Sequence, residues 1–171
     1  MSQIAPYWGG AGSALGTVRP FNVSSFGSFV KEVLANPAVI GSVTRQEFQA
    51  LPKEERGRRK HVAFFTPAAF RTSHRVYEDA EHCNLICLDI DDPAQARQFT
   101  GRPAALQERL TPFAFAAYTT ASSTPEAPRL RVVVAAAAIP IERYADAVRW
   151  VLAMLMAFWL LVAVLVKECS T

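Results

Sequence analysis

The chain has 171 residues, which fits one domain and is long enough for a substantial core. Its net charge of +3 is too small to establish nucleic-acid binding by itself. Three cysteines, Cys83, Cys87 and Cys169, suggest a reduced compartment; their spacing, with no close histidine set, completes no structural zinc site, so core or half-buried thiols are expected.

Residues 1–22 read as a flexible N-terminal segment. No basic region precedes an apolar run, as a secretory signal would require, and Gly9-Gly10-Ala11-Gly12 lacks the preceding strand and following Gly-Lys-Ser/Thr of a phosphate loop. Residues 23–171 read as one domain. Val23 to Asn36 is expected to be an amphipathic helix, with Phe26, Phe29, Val30, Val33 and Leu34 on one face and Asn36-Pro37 ending it. Thr44-x-x-Glu47 has the form of a capping box opening a short helix before Leu51-Pro52.

Arg56, Arg58, Arg59, Lys60 and His61 then cluster, followed by Arg71, His74 and Arg75. Such a cluster can track a phosphate backbone and contribute salt-dependent affinity; it is equally the composition of a solvated loop between a short helix and a strand. Val62 to Phe65 is expected to be a strand, and Thr66-Pro67 to cap and begin another short helix.

The most informative stretch is Asn84-Leu85-Ile86-Cys87-Leu88-Asp89-Ile90-Asp91-Asp92, an apolar run ending in acids. Strand side chains alternate faces, so Asp89 and Asp91 share one, with Leu85 and Cys87 behind them, while Ile86, Leu88 and Ile90 share the other. Two adjacent carboxylates repel unless a hard cation takes their oxygens. The plain reading is a strand end running into a solvated Asp-Pro turn. Asp92-Pro93 is also helix-opening chemistry, recruiting Asp92 as a cap for a helix to about Gly101, with a further helical stretch over 103–110.

Phe113 to Thr120 reads as a strand, Ala121 to Pro128 as a polar loop and Arg129 to Val134 as another strand. Arg129 and Arg131 share one face, opposite Leu130, Val132 and Val134. Carboxylates that hold a metal, beside guanidinium groups that grip phosphate bidentately, are the means of handling a nucleoside triphosphate. An antiparallel pair carrying cross-strand ion pairs would use the same residues.

Ala135 to Ala138 offers no functional group and ends a strand that Ile139-Pro140 stops. From Ile141 the pattern is helical, amphipathic at first and then apolar all round from Trp150 to Val166. That run makes a helix of roughly 26 Å at 1.5 Å per residue, against a bilayer core of about 30 Å. Burial in the fold or between subunits ranks ahead of a membrane helix.

Leu88-Asp89-Ile90-Asp91-Asp92, followed by Tyr118-Thr119-Thr120-Ala121-Ser122-Ser123-Thr124-Pro125-Glu126-Ala127-Pro128-Arg129-Leu130-Arg131-Val132-Val133-Val134, resembles the primase-polymerase-like domains of the archaeo-eukaryotic primase superfamily. These domains occur in replication proteins of phages, plasmids and integrated elements. The segment His61 to Phe70 is similar to the one preceding their acidic strand. The resemblance covers about residues 60–150, and Thr124 to Arg131 is its most specific part. It implies an α/β (α+β) fold, a central mixed sheet with flanking helices and an RRM-like catalytic unit that this chain need not complete at its C-terminus.

Carried over residue by residue, the resemblance makes Asp89 and Asp91 ligands for Mg²⁺ or Mn²⁺ that orient the triphosphate and activate the primer 3′-hydroxyl. Arg129 and Arg131 become catalytic phosphate contacts, joined in nucleotide binding by Ser122 and Ser123, with Arg56, Arg58, Arg59 and Lys60 on nucleic acid. The implied function is a DNA primase or primase-polymerase module using two-metal chemistry, with nucleoside triphosphates and a DNA template as partners, in the cytoplasm. The family's second motif usually carries a histidine where this chain has Ala121-Ser122-Ser123, and after Asp146 the one acid left for a third ligand is Glu168. A catalytically degenerate nucleic-acid-binding module is therefore a rival reading. A protein self-associating, or membrane-anchored, through the C-terminal helix at about 141–166 is another.

Overall fold

The computed structural model describes residues 7–10, 17–21, 23–35, 43–59 and 64–168; the side chains of residues 7, 8, 10, 45 and 157–168 stand outside that description. The chain divides into two compact units, Met1–Leu85 with Ala135–Ile141, and Ile86–Val134 with Glu142–Thr171.

In the first unit, β1 (Tyr7–Gly10) pairs antiparallel with β2 (Arg19–Phe21) and β3 (Phe64–Thr66). Both β1 and β2 fall where the sequence pattern predicts a flexible segment, and this corrects it for the described part of residues 1–22. Gly9 serves close approach, since a Cβ there would stand 2.3 Å from the Phe64 carbonyl oxygen. The first helix is shorter than the apolar pattern predicts: α1 spans Phe26–Phe29 and continues as π-helical Val30–Leu34. Ser25 sets the start, its hydroxyl accepting from the Ser28 amide at 3.1 Å. Phe26 and Phe29 are buried, and Phe29 meets Phe65 edge-on at 5.2 Å.

The Thr44 capping box forms as its spacing predicts: Thr44 Oγ1 accepts from the Glu47 amide at 3.2 Å and Glu47 Oε2 from the Thr44 amide at 2.7 Å, opening α2 (Arg45–Ala50). A further helix, α3 (Lys53–Arg59), follows and carries Arg56, Arg58 and Arg59, where the sequence offered a loop. Thr66-Pro67 opens no helix. Ala68–Phe70 is instead β4, paired with the start of β5 (Ala80–Ile90). Thr66 Oγ1 accepts from the Ala68 amide at 3.3 Å and Pro67 O from the Asn84 amide at 3.0 Å, so sheet pairing replaces the helical capping role.

The second unit takes the end of β5 from Ile86, then α4 (Pro93–Gly101), α5 (Pro103–Leu110), β6 (Phe115–Thr119), the start of β7 (Leu130–Pro140) and α6 (Tyr144–Glu168). The four-stranded sheet has the order β4-β5-β7-β6. This is the expected α+β class, with antiparallel pairing between the neighbouring described strands where a mixed sheet was expected, and from β5 onward the element order follows the β-α-β-β-α part of the split β-α-β motif. The helical crossover from β5 to β6 leaves β7 between them, antiparallel to β6.

Ile86, Leu88 and Ile90 of β5, Ala96 and Phe99 of α4, Leu106 and Leu110 of α5, Leu130, Val132 and Val134 of β7, and Val151 and Leu155 of α6 are all buried. Each large side chain contributes about 1.5–3 kcal/mol on burial. Arg109 Nη1 donates to the Leu155 carbonyl at 2.9 Å, with its guanidinium over the Phe99 ring, and so pins α5 against α6. Among the described residues no helix is long and apolar enough to cross a membrane.

Candidate functional site

Because Ile86, Leu88 and Ile90 turn into the core, Asp89 is left on the opposite, exposed face of β5, followed by Asp91 just past the strand end. Arg131 Nε and Nη2 donate to Asp89 Oδ1 and Oδ2 at 2.6 and 2.8 Å, a bidentate pair. Arg129 Nη1 lies 3.5 Å from Asp91 Oδ1. Two residues forward on β5 match two residues back on β7, the signature of antiparallel register. All four groups therefore share one face: spacing predicts this within each pair, the contacts between the strands join the two pairs, and the carboxylates are held by guanidinium groups. The side chains of Asp89 and Arg131 are 47% and 38% exposed, and those of Asp91 and Arg129 64% and 46%, so the second pair is the more open. Pairs this exposed contribute at most about 1 kcal/mol, and their importance here is geometric.

Tyr118 of β6 stands directly opposite Arg131 of β7 and interacts with its guanidinium. Burial pushes the Tyr118 phenol up, while the nearby guanidinium pulls it the other way. The hydrogen bond to Asp89 holds Arg131 protonated still more firmly than an ordinary arginine.

The loop between β6 and β7 places Arg129. Ser123 is buried; its Oγ accepts from the Arg129 amide at 3.0 Å, and its own amide donates to Thr120 O at 3.0 Å. Thr124 Oγ1 accepts from the Ala127 amide at 2.9 Å, and Arg97 of α4 donates to Glu126 O. The Ser123 hydroxyl thus fixes backbone at the site, while Ser122 lies half-buried on the same turn. Asp92 caps α4, accepting from the Gln95 amide at 2.8 Å with Pro93 in the first turn, as its sequence predicts.

Arg56, Arg58 and Arg59 are on α3 in the first unit, where Arg59 pairs with Glu55 at 2.9 Å and Arg58 with the same residue at 3.9 Å. Lys60 and His61 lie outside the described residues. So does Cys169. Cys83 is buried, which pushes its thiol up to about 11, and Cys87 is half-buried with its amide donating to the Tyr144 hydroxyl at 3.3 Å. Sequence reasoning passed over Tyr118 and Tyr144. Tyr118 had a readable signal, its place within the Phe113–Thr120 strand, but its partner depends on hairpin register.

Among the described residues no group of three or more His, Cys, Asp or Glu is arranged to hold a metal ion. The two carboxylates alone fit the way Mg²⁺ is usually held, through one or two carboxylates completed by substrate phosphates and water.

The family model of the VapE N-terminal domain matches residues 24–157. The chain belongs to this family. VapE N-terminal domains are found in replication-associated proteins of phages and plasmids, which fits the mobile-element replication context of the motifs. The stretch matched to the VapE N-terminal domain includes Asp89, Asp91, Tyr118, Arg129, Arg131 and all of α3. No curated protein and no solved structure matches the chain significantly.

Proposed function

We propose that the chain is the primase-polymerase module of a mobile-element replication protein, carrying out template-directed nucleotidyl transfer in the cytoplasm. The observation that carries this reading is the set of two acids and two arginines on one exposed face of β5 and β7. In it, Asp89 and Asp91 hold Mg²⁺ or Mn²⁺, and Arg129 and Arg131 grip the phosphates of the nucleoside triphosphate in the planar, two-bond manner that guanidinium allows. The bound cation supplies charge compensation at the phosphates and activation of the primer 3′-hydroxyl. Ser123 positions Arg129 through its backbone amide, and Ser122, on the same turn, joins it in nucleotide binding. The arginines of α3, with Lys60, contact the nucleic-acid backbone.

Product formation on a primed and an unprimed DNA template, with Mg²⁺ or Mn²⁺, tests the reading. The wild-type chain is expected to extend or initiate a strand, and Asp89→Ala with Asp91→Ala to abolish this. Equal synthesis by both proteins would overturn the assignment. A second reading, a nucleic-acid-binding module without catalysis, is favoured by the guanidinium groups holding both acids. It predicts DNA binding with no product from either protein.

A further inference from the structure

The basic residues Arg71, His74 and Arg75 take no part in the face that carries Asp89 and Arg131; they lie on the loop that joins β4 to β5. That loop is tied at several points. The Arg71 amide donates to Asp79 O at 2.9 Å and its guanidinium to Glu78 O, while the Thr72 hydroxyl donates to the Asp79 carboxylate and accepts from the His74 amide at 3.1 Å. From outside the loop, the Val18 amide donates to Ser73 O at 2.8 Å. Held in this way, the loop presents Tyr77 with 71% of its surface in water and Val76 with 47%. An aromatic ring exposed on a well-tied loop is already placed for a partner, with little ordering left to do on binding.

The neighbours of Tyr77 indicate which partner. Val76 is extended, at φ −122° and ψ 153°, so Arg75 and Tyr77 leave the chain on the same side. Side chains two apart on extended backbone stand about 6.6 Å from one another. That is about twice the 3.4 Å thickness of a stacked base, which leaves room for one flat ring between guanidinium and phenol. Arg75 already stacks, its Cζ 5.4 Å from the centre of the Phe64 ring, and among the described residues no carboxylate pairs with it. Asp79 is engaged by Arg71 at 3.8 Å, and the exposed Glu78 offsets the charge of Arg75 along the loop, so affinity here comes from stacking and not from net charge. We infer that Arg75 and Tyr77 clamp one unpaired base of a single-stranded nucleic acid. This rests on the reading of the chain as one that handles a DNA strand, and adds a base contact to the backbone contacts of α3.

Fluorescence anisotropy of the full chain tests it, with labelled oligo-dT, an abasic strand of the same length and a blunt duplex. Wild type is expected to bind oligo-dT at least about fivefold more tightly than the abasic strand, which keeps the phosphates and lacks the bases. Tyr77→Ala should lose that preference while keeping its affinity for the abasic strand and the duplex and the slope of its salt dependence. Arg75→Ala should reduce the same preference. Tyr77→Phe, which keeps the ring, should bind oligo-dT within about twofold of wild type. An unchanged preference in Tyr77→Ala overturns the clamp while DNA binding by the chain stands. Equal weakening on oligo-dT and on the abasic strand removes stacking from the account and overturns it too. A lower solution mass of Tyr77→Ala than of wild type without DNA would make the loop a contact between copies of the chain, with the same consequence. No binding of any strand by wild type overturns the nucleic-acid reading together with the clamp.

Discussion

Tyr118 faces Arg131 across β6 and β7, and Arg131 in turn holds both oxygens of Asp89, so phenol, guanidinium and carboxylate form one row across three strands. The row orients the guanidinium more than it stabilises the fold. Tyr118→Phe is expected to cost about 0.5–1.5 kcal/mol in urea denaturation, the range for one hydrogen-bonding group. Arg131→Ala should cost no more than about 1 kcal/mol, because its ion pair is solvent-exposed. A loss of several kcal/mol from Arg131→Ala would make the pair a structural element of the core.

Cys83 gives a pH signature. Its thiol is buried and pushed from 9.0 up to about 11, so the fold favours the neutral form. A raised folded-state value means that the full contribution is present below pH 9 and is lost as pH rises from 9 through about 11. Urea midpoints for wild type should fall across this window, and Cys83→Ala should flatten the fall. Tyr118, whose neutral form is also favoured by burial, adds to the loss above the usual tyrosine range of about 10, so Tyr118→Phe serves as the control. Parallel wild-type and Cys83→Ala curves would remove Cys83 from the account.

Two glycines should respond oppositely to alanine. At Gly9 the new Cβ meets the Phe64 carbonyl oxygen, part of the backbone, and β1 must move off β3. A loss of about 1–3 kcal/mol is expected, as for other overpacked sites. At Gly57, inside α3, nothing lies within 4 Å of the added carbon. Gly57→Ala should stabilise by roughly 0.5–1 kcal/mol through helix propensity. Thermal denaturation of the two variants beside wild type checks both signs.

The contrast between these glycines shows what the sequence could reveal. Local chemistry was legible: the Thr44–Glu47 capping box, the Asp92-Pro93 helix start and the two alternations that put Asp89 with Asp91, and Arg129 with Arg131, on one face each involve residues within a few positions of one another. Pairing between distant segments was not. Gly9-Gly10 has a linker's composition and becomes a strand through partners at Arg19 and Phe65, and Thr66-Pro67 loses its helical role to the pairing of Ala68 with Cys83. The α3 helix was hidden by Gly57, although Glu55 and Arg59 have the spacing that supports a helix. The join of Asp89 to Arg131 needed the β5–β7 register, which no local pattern supplies.

The arginines of α3 should act on nucleic acid through charge alone. Arg58 is 77% exposed and only loosely paired with Glu55, whereas Arg59 is held by the same carboxylate. Replacing Arg56, Arg58 and Arg59 with glutamine should weaken single-stranded DNA binding by a similar factor for unrelated sequences. It should also reduce the steepness of the salt dependence, by roughly 0.7 per lost phosphate contact. Fluorescence anisotropy at several salt concentrations measures both. An unchanged salt slope would leave α3 as a solvated helix with no part in binding.

The apolar end of the chain calls for a covering surface. Val151 and Leu155 of α6 are buried within their unit, but Trp150 is 56% exposed, its ring edge-on to Phe113 at 5.6 Å. The sequence then continues without a charged side chain from Trp150 to Val166. A helix apolar on all sides must be buried by its own chain, by another copy or by lipid. Self-association is the expected outcome, with a solution mass above the 18.8 kDa of one chain in buffer without detergent. Trp150→Glu should shift the equilibrium toward monomer at little cost to folding, because much of that side chain is already in water. Sedimentation velocity of both proteins, with and without a mild detergent, decides it. A clean wild-type monomer means that the helix is covered within its own chain, whereas protein that stays dispersed only in detergent assigns the run to lipid and overturns the cytoplasmic reading.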